Sequence, residues 1–234
     1  MECIVAIHQP NYLPWLGFFY KITQSNVFVF LDNVQYSIRT YQNRVQICLN
    51  KQPFWLTQPV RTRGYSRALT KEITFADLWW TRKHIKTIEH AYSKHPYFKE
   101  IKPLMELYSY ETENQSEFNM KAISLICQLL GIETKLVIAS QLDLPEVNNA
   151  TERIINITKC LDGTTYLSGE GGKKYQDESL FEKAKIGIRY SDFVIKPYPQ
   201  PGCLNFIPRL SIIDAICNIG KAGVSNILHQ TFCT

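Results

Sequence analysis

The feature that most constrains this chain is an alternation packed into its first thirty residues. Residues 3–7 (CIVAI) are a short apolar run with β-branched character, which predicts a buried strand. Pro10 and Pro14 then force a turn, and Trp15, Phe18, Phe19 and Ile22 fall at helical spacing. A second apolar run, VFVFL at 27–31, ends at Asp32. Strand, turn, helix and strand in so short a stretch is a βαβ unit, whose strands run parallel with a right-handed crossover.

Later segments extend the pattern. Residues 45–49 and 54–59 read as a hairpin around Asn50-Lys51-Gln52, and 72–75 as a short strand. Helical periodicity covers 78–92, 98–109 and 116–130, with Gly131 as a stop signal. Strands are expected at 135–139, 164–167 and 188–195. Helices are expected at 151–160 capped by Thr151, at 178–185, and at 211–218 capped by Ser211 and ended near Gly220. The fold class is therefore α/β: a Rossmann-like, mostly parallel sheet flanked by helices, with an inserted helical segment. One domain is expected, its core drawn from 1–77 and 131–234 and the insertion spanning about 78–130.

Composition narrows the function classes. With 234 residues, 45% hydrophobic and 20% charged, the chain can bury a full core and is not a disordered one. Its seven cysteines, with no CxxC pair, read as reduced thiols of the cytoplasm, mostly small core hydrophobes, and a zinc site is not expected. No basic leader and no run of 18 apolar residues is present, so neither a signal peptide nor a membrane span is expected. The net charge of +5 is scattered, and its densest cluster, Arg61, Arg63, Arg67 and Lys71, is too short for a nucleic-acid footprint. A small phosphate-bearing partner such as a nucleotide-sugar suits that charge. Oligomeric state is left open.

Four places could hold chemistry. The first follows strand one: His8, Gln9, Asn11, Tyr12 and Trp15, at a strand end where open α/β sheets bind ligands and where the next helix offers free N–H groups. The second follows strand two: Asp32 and Gln35, then Asn43 and Arg44. Parallel pairing would bring Asp32 to the sheet edge that carries His8, as the orienter of a general base or as a holder of a metal or hydroxyl. The third is the loop from Ser168 and Gly169 to Tyr175, whose small residues and lysines suit phosphate but lack Walker spacing. The fourth is Ser211 and Asp214 at helical spacing, which also read as a cap and a first-turn acid. His84 beside Trp79 and Trp80 reads as packing, with a cleft-lining role as the alternative.

The run IHQPNYLPWLGFFYKI, then FVFLDNVQY, the Asn43-Arg44 pair, the YLSG loop with Tyr175, and LSIIDAICNIG together resemble the WbqC-like family along essentially the whole chain. The resemblance implies a place in O-antigen or other surface-polysaccharide biosynthesis, with transfer of glycine onto a sugar as one proposed activity. By position it implies site roles for His8, Gln9, Tyr12, Trp15, Asp32, Gln35, Asn43, Arg44, Ser168, Gly169, Tyr175, Ser211 and Asp214. The layout is also similar to HIGH-type nucleotidyl enzymes such as pantothenate synthetase, which would imply ATP with magnesium as cofactor. The chain lacks their His-x-Gly-His string, and Pro10 stands where the glycine turn would be. The expected function is acyl or aminoacyl transfer that forms an amide on a nucleotide-linked amino-sugar, with His8 as base steered by Asp32. Its rivals are a non-catalytic sugar- or nucleotide-binding component and an adenylating ligase. An aminoacyl-tRNA donor would call for a broader basic surface than this charge provides.

Overall fold

The structure, a computed structural model, describes residues 2–61, 67–147 and 149–229. Arg63 of the basic cluster and Cys233 lie outside them. In chain order the elements are β1 (Ile4–His8), α1 (Leu16–Thr23), β2 (Val27–Phe30), β3 (Arg44–Leu49), β4 (Gln52–Thr57), α2 (Trp79–Tyr92), α3 (Lys102–Glu106), α4 (Gln115–Leu130), β5 (Lys135–Ile138), α5 (Ala150–Cys160), β6 (Thr165–Ser168), α6 (Glu178–Ala184), β7 (Gly187–Tyr190) and α7 (Ile212–Leu228).

Five strands form one parallel sheet in the order β5-β2-β1-β6-β7, and β3 and β4 form a separate antiparallel hairpin. Counting only strands of the large sheet, this is the order 3-2-1-4-5 of a doubly wound fold. The chain winds outward on one side of β1 and then returns to wind outward on the other, so the order reverses between β1 and β6.

Strand periodicity sorts the core into two layers. Ala6, Phe28 and Phe30 face α1, α4 and α7, whereas Val5, Ile7, Val27 and Val29 face α5 and α6. Burial on both faces explains why β1 and β2 read as unbroken apolar runs rather than alternating ones.

Several expectations are corrected in detail. The hairpin turns on Asn50 and Lys51 alone (φ 51° and 65°), and Gln52 already pairs with Leu49. Residues 70–72 form a 3₁₀ turn, and the strand expected at 72–75 is reduced to two isolated bridges, Thr74 to Asn114 and Phe75 to Val60. The stretch 98–109 is broken into a 3₁₀ turn, the short α3 carrying Pro103, and a second 3₁₀ turn. The cap of α5 is Asn149, whose side chain accepts from the Thr151 and Glu152 N–H groups. Thr151 already lies inside the helix. The strand expected at 188–195 ends at Tyr190. Ser211 does cap α7, but Gly220 kinks that helix rather than ending it. Its φ of 71° is left-handed, and a Cβ there would meet the Tyr97 ring at 2.9 Å, so the helix can bend here only around a glycine.

Candidate functional site

His8 ends the central strand, and the chain after it is held from several directions. Asn119 donates to the Pro10 carbonyl (3.0 Å), the Tyr12 N–H donates to the Tyr41 carbonyl (2.9 Å), and the Ser211 hydroxyl donates to the Leu13 carbonyl (2.8 Å). These bonds keep Leu13 at a positive φ of 41°, a strained value for a branched residue, between two prolines. Tyr12 points inward and is fully buried, with its hydroxyl bonded to His84 Nδ1 (2.8 Å) and to Tyr108. His84, pushed down to about pKa 4 chiefly by burial, anchors the turn and also lines a separate pocket of about 600 Å³ with Trp79, Trp80 and Lys83.

A cleft of about 200 Å³ opens at this end of the sheet. Its walls come from β1 (His8), the following turn and α1 (Asn11, Trp15, Gly17, Phe18, Lys21), Tyr41, the residues after β6 (Gly169, Glu170) and those after β7 (Ser191, Phe193). It lies where the sheet order reverses, the place a doubly wound sheet offers a ligand. Trp15 folds across Gly17 so closely that a Cβ there would sit 2.4 Å from the indole.

The electrostatics of the cleft are unusual. Lys21 is buried (4% exposed) in the apolar face of α1, and its ammonium donates to the Ile7 carbonyl at 2.8 Å. Burial alone depresses its pKa from 10.5 to about 7. His8 is depressed to about 4, first by burial and then by the Lys21 charge, with its bond to the Gln9 carbonyl opposing. That bond, 2.9 Å from Nδ1, fixes the tautomer: a carbonyl only accepts, so Nδ1 carries the hydrogen and Nε2 keeps its lone pair.

Of the residues singled out by sequence, His8, Asn11, Trp15 and Gly169 line this cleft. Ser168 is buried behind it, donating to the Gly169 carbonyl and accepting from Gln176. Asp32 follows Phe30, the register partner of His8, at the same sheet edge. Its carboxylate is nevertheless occupied elsewhere, accepting from the Ser140 N–H (2.9 Å) and hydroxyl (2.6 Å). Gln9 reaches the Gln35 carbonyl at 3.5 Å, and Asn43 is buried, donating to the Gln58 carbonyl. Arg44 lies over Trp55, and Tyr175 is 84% exposed. Asp214 is in a different place, fully buried and accepting from Tyr92, Tyr198 and Gln200. It ties α7 to α2 and to the segment before α7.

Glu170 lies in the loop after Ser168 that the sequence singled out, whereas Lys21, Tyr41, Ser191 and Phe193 were missed. Lys21 carried a signal: a cation one residue before Ile22, inside a helix face otherwise filled by aromatics. The other three reach the cleft only through tertiary folding.

Among the described residues no helix is long and apolar enough to cross a membrane, and no group of three His, Cys, Asp or Glu is placed to hold a metal. No solved structure matches the chain. The uncharacterized protein Rv1507c of Mycobacterium tuberculosis is 32% identical over 219 residues, covering 92% of this chain and 94% of the relative. The WbqC-like protein family matches residues 9–226, from the turn after β1 to the second half of α7. The chain belongs to the WbqC-like protein family.

Proposed function

We propose that the chain is an acyl- or aminoacyltransferase, with glycyl transfer as the leading case, that forms an amide on a nucleotide-linked amino-sugar during surface-polysaccharide synthesis in the cytoplasm. The observation that carries this reading is an imidazole whose Nδ1–H is tied to the Gln9 carbonyl, beside a buried lysine that has no ion-pair partner among the described residues, in a small cleft at the switch point of the sheet.

Amide formation needs the acceptor ammonium to lose a proton before it attacks. Glu170 at the cleft wall attracts that ammonium, and His8 Nε2 takes the proton. The amine then attacks the activated carbonyl, the C–N bond forms, and the donor's leaving group departs with the electron pair of the broken bond, taking up the second proton of the attacking nitrogen. Lys21 offers a positive charge to a carboxylate or to the developing oxyanion. Burial is the larger cause of the depressed His8 pKa, and a bound anion beside Lys21 would relieve the smaller, repulsive part of it.

Size argues about the donor. Sites for drug-sized ligands run to roughly 300–1,000 Å³, whereas this cleft holds about 200 Å³. That suits an aminoacyl group better than a whole triphosphate. Lys173, expected to face a phosphate, packs over the Tyr190 ring at 5.0 Å, and Glu170 adds negative charge at the wall. These features favour a donor activated before it arrives over adenylation with ATP and magnesium in the cleft.

The test supplies purified protein with glycine, ATP–Mg²⁺ or glycyl-tRNA, and a UDP-linked amino-sugar, and reads product mass by liquid chromatography. A glycyl adduct is expected, with turnover reduced roughly 10²-fold or more in His8→Gln. Undiminished turnover in His8→Gln removes the base assignment. Absence of any adduct, with the sugar still bound, leaves the non-catalytic binding reading in its place.

A further inference from the structure

We propose that the outer rim of this cleft is the acceptor subsite, where two arginine-on-tryptophan pairs grip the diphosphate and pyranose ring of a nucleotide-linked sugar. The inference rests on the transferase reading and names how its acceptor is held. On one side the Arg209 guanidinium lies 5.7 Å from the Trp15 ring centre, and Trp15 is a wall of the cleft. On the other, the Arg44 guanidinium lies 4.5 Å from the Trp55 ring centre. Tyr41 joins the two, since it lines the cleft beside Trp15 and its ring stands 6.1 Å from that of Trp55.

Three properties make this more than a surface patch. Tyr41 and Trp55 are exposed, at 47% and 37%, although both are large aromatics next to a cleft. A pyranose presents a face of C–H groups that covers such rings, while its hydroxyls stay at the edges. Second, a guanidinium laid over an indole spends its flat face on the ring and keeps its N–H edge free for a phosphate. Among the described residues neither arginine is in an ion pair, and Arg44 Nε is a buried donor without a hydrogen-bond partner, so only the outer nitrogens of that guanidinium are offered to a phosphate. Third, Arg209 is held at a φ of 59°, a left-handed conformation that a long side chain adopts only when its surroundings impose it. The bond from the Ser211 N–H to the Gln46 carbonyl fixes that segment against the hairpin that carries Arg44 and Trp55. Both arginines therefore stand on one connected support.

UDP-N-acetylglucosamine is the probe, with UDP and N-acetylglucosamine alone as references, read by saturation-transfer NMR and by tryptophan fluorescence titration. The wild-type protein is expected to bind the nucleotide-sugar and to saturate its ring protons. Trp55→Ala should abolish that sugar-proton signal, and Arg44→Gln and Arg209→Gln should each weaken binding about tenfold. Retained affinity in all three variants, with native circular dichroism, overturns the proposal, as does a wild-type protein that shows no binding of the probe. His8→Gln keeps the two readings apart. It loses transfer while binding the probe like the wild type, so failed chemistry leaves the rim standing, and a failed rim leaves the base assignment to be judged on turnover.

Discussion

Replacing Lys21 by methionine is the most informative single perturbation of the cleft. The folded chain depresses the lysine pKa from 10.5 to about 7. At 1.36 kcal/mol per pH unit that difference corresponds to about 5 kcal/mol of penalty for keeping the amine charged. The sign follows from proton counts. Between about pH 7 and 10.5 the unfolded chain binds the proton that the folded chain has released, so stability rises with pH across that window. Below pH 7 both states are protonated and the whole penalty is present. Methionine of similar length carries none of it, but leaves the Ile7 carbonyl without its 2.8 Å donor, a loss of about 1–3 kcal/mol. The net expectation is that Lys21→Met is more stable than wild type by about 2–4 kcal/mol at pH 6, with the advantage fading toward pH 10. Urea titrations at pH 6, 8 and 10 read this directly. A variant that is less stable at pH 6, or whose difference from wild type ignores pH, would refute the claim that a buried, counter-ion-free amine lies in the cleft. The same variant should lose transfer activity, marking Lys21 as a residue kept for function at the expense of stability.

Asp32→Ala should destabilise the fold by about 2–3 kcal/mol in chemical denaturation, because the Ser140 N–H and hydroxyl both lose their acceptor. It should leave the His8 titration midpoint where it was, and a moved midpoint would restore Asp32 as the partner of His8. Gly17→Ala sets a helix-propensity gain of about 1 kcal/mol against an overpacking cost of about 1–3 kcal/mol. With the indole only 2.4 Å from the new carbon, the cost is expected to win, lowering the melting temperature and red-shifting tryptophan emission as Trp15 is displaced. An unshifted spectrum with raised stability would show that the Trp15 ring moves aside freely.

The sheet was legible because its strands are buried on both faces. Unbroken apolar runs such as VFVF need no partner to be recognised, and the right-handed crossover rule supplies their parallel pairing. The site was legible only as far as local sequence reaches. His8 ends the first strand and Asn11 and Trp15 follow within a few residues, and a buried strand end is a place for polar groups to work. The departures trace to contacts between distant segments. Asp32 looked like a partner for His8, yet Ser140, more than a hundred residues later, takes both its oxygens. Ser211 and Asp214 looked like site residues, but Ser211 pins the turn at Leu13 and Asp214 collects three donors inside the core. Gly220 looked like a helix end and is a kink, because Tyr97 fills the space beside it.

The central claim is that His8 presents an unprotonated Nε2 to the cleft at working pH. Imidazole ¹⁵N NMR across pH 3–9, with the His8 resonances assigned by their loss in His8→Gln, tests it most directly. The account predicts the Nδ1–H tautomer at pH 7, a titration midpoint near the depressed value of about 4, and an upward move of that midpoint in Lys21→Met. A midpoint at the ordinary 6.5, or a hydrogen on Nε2, would contradict it.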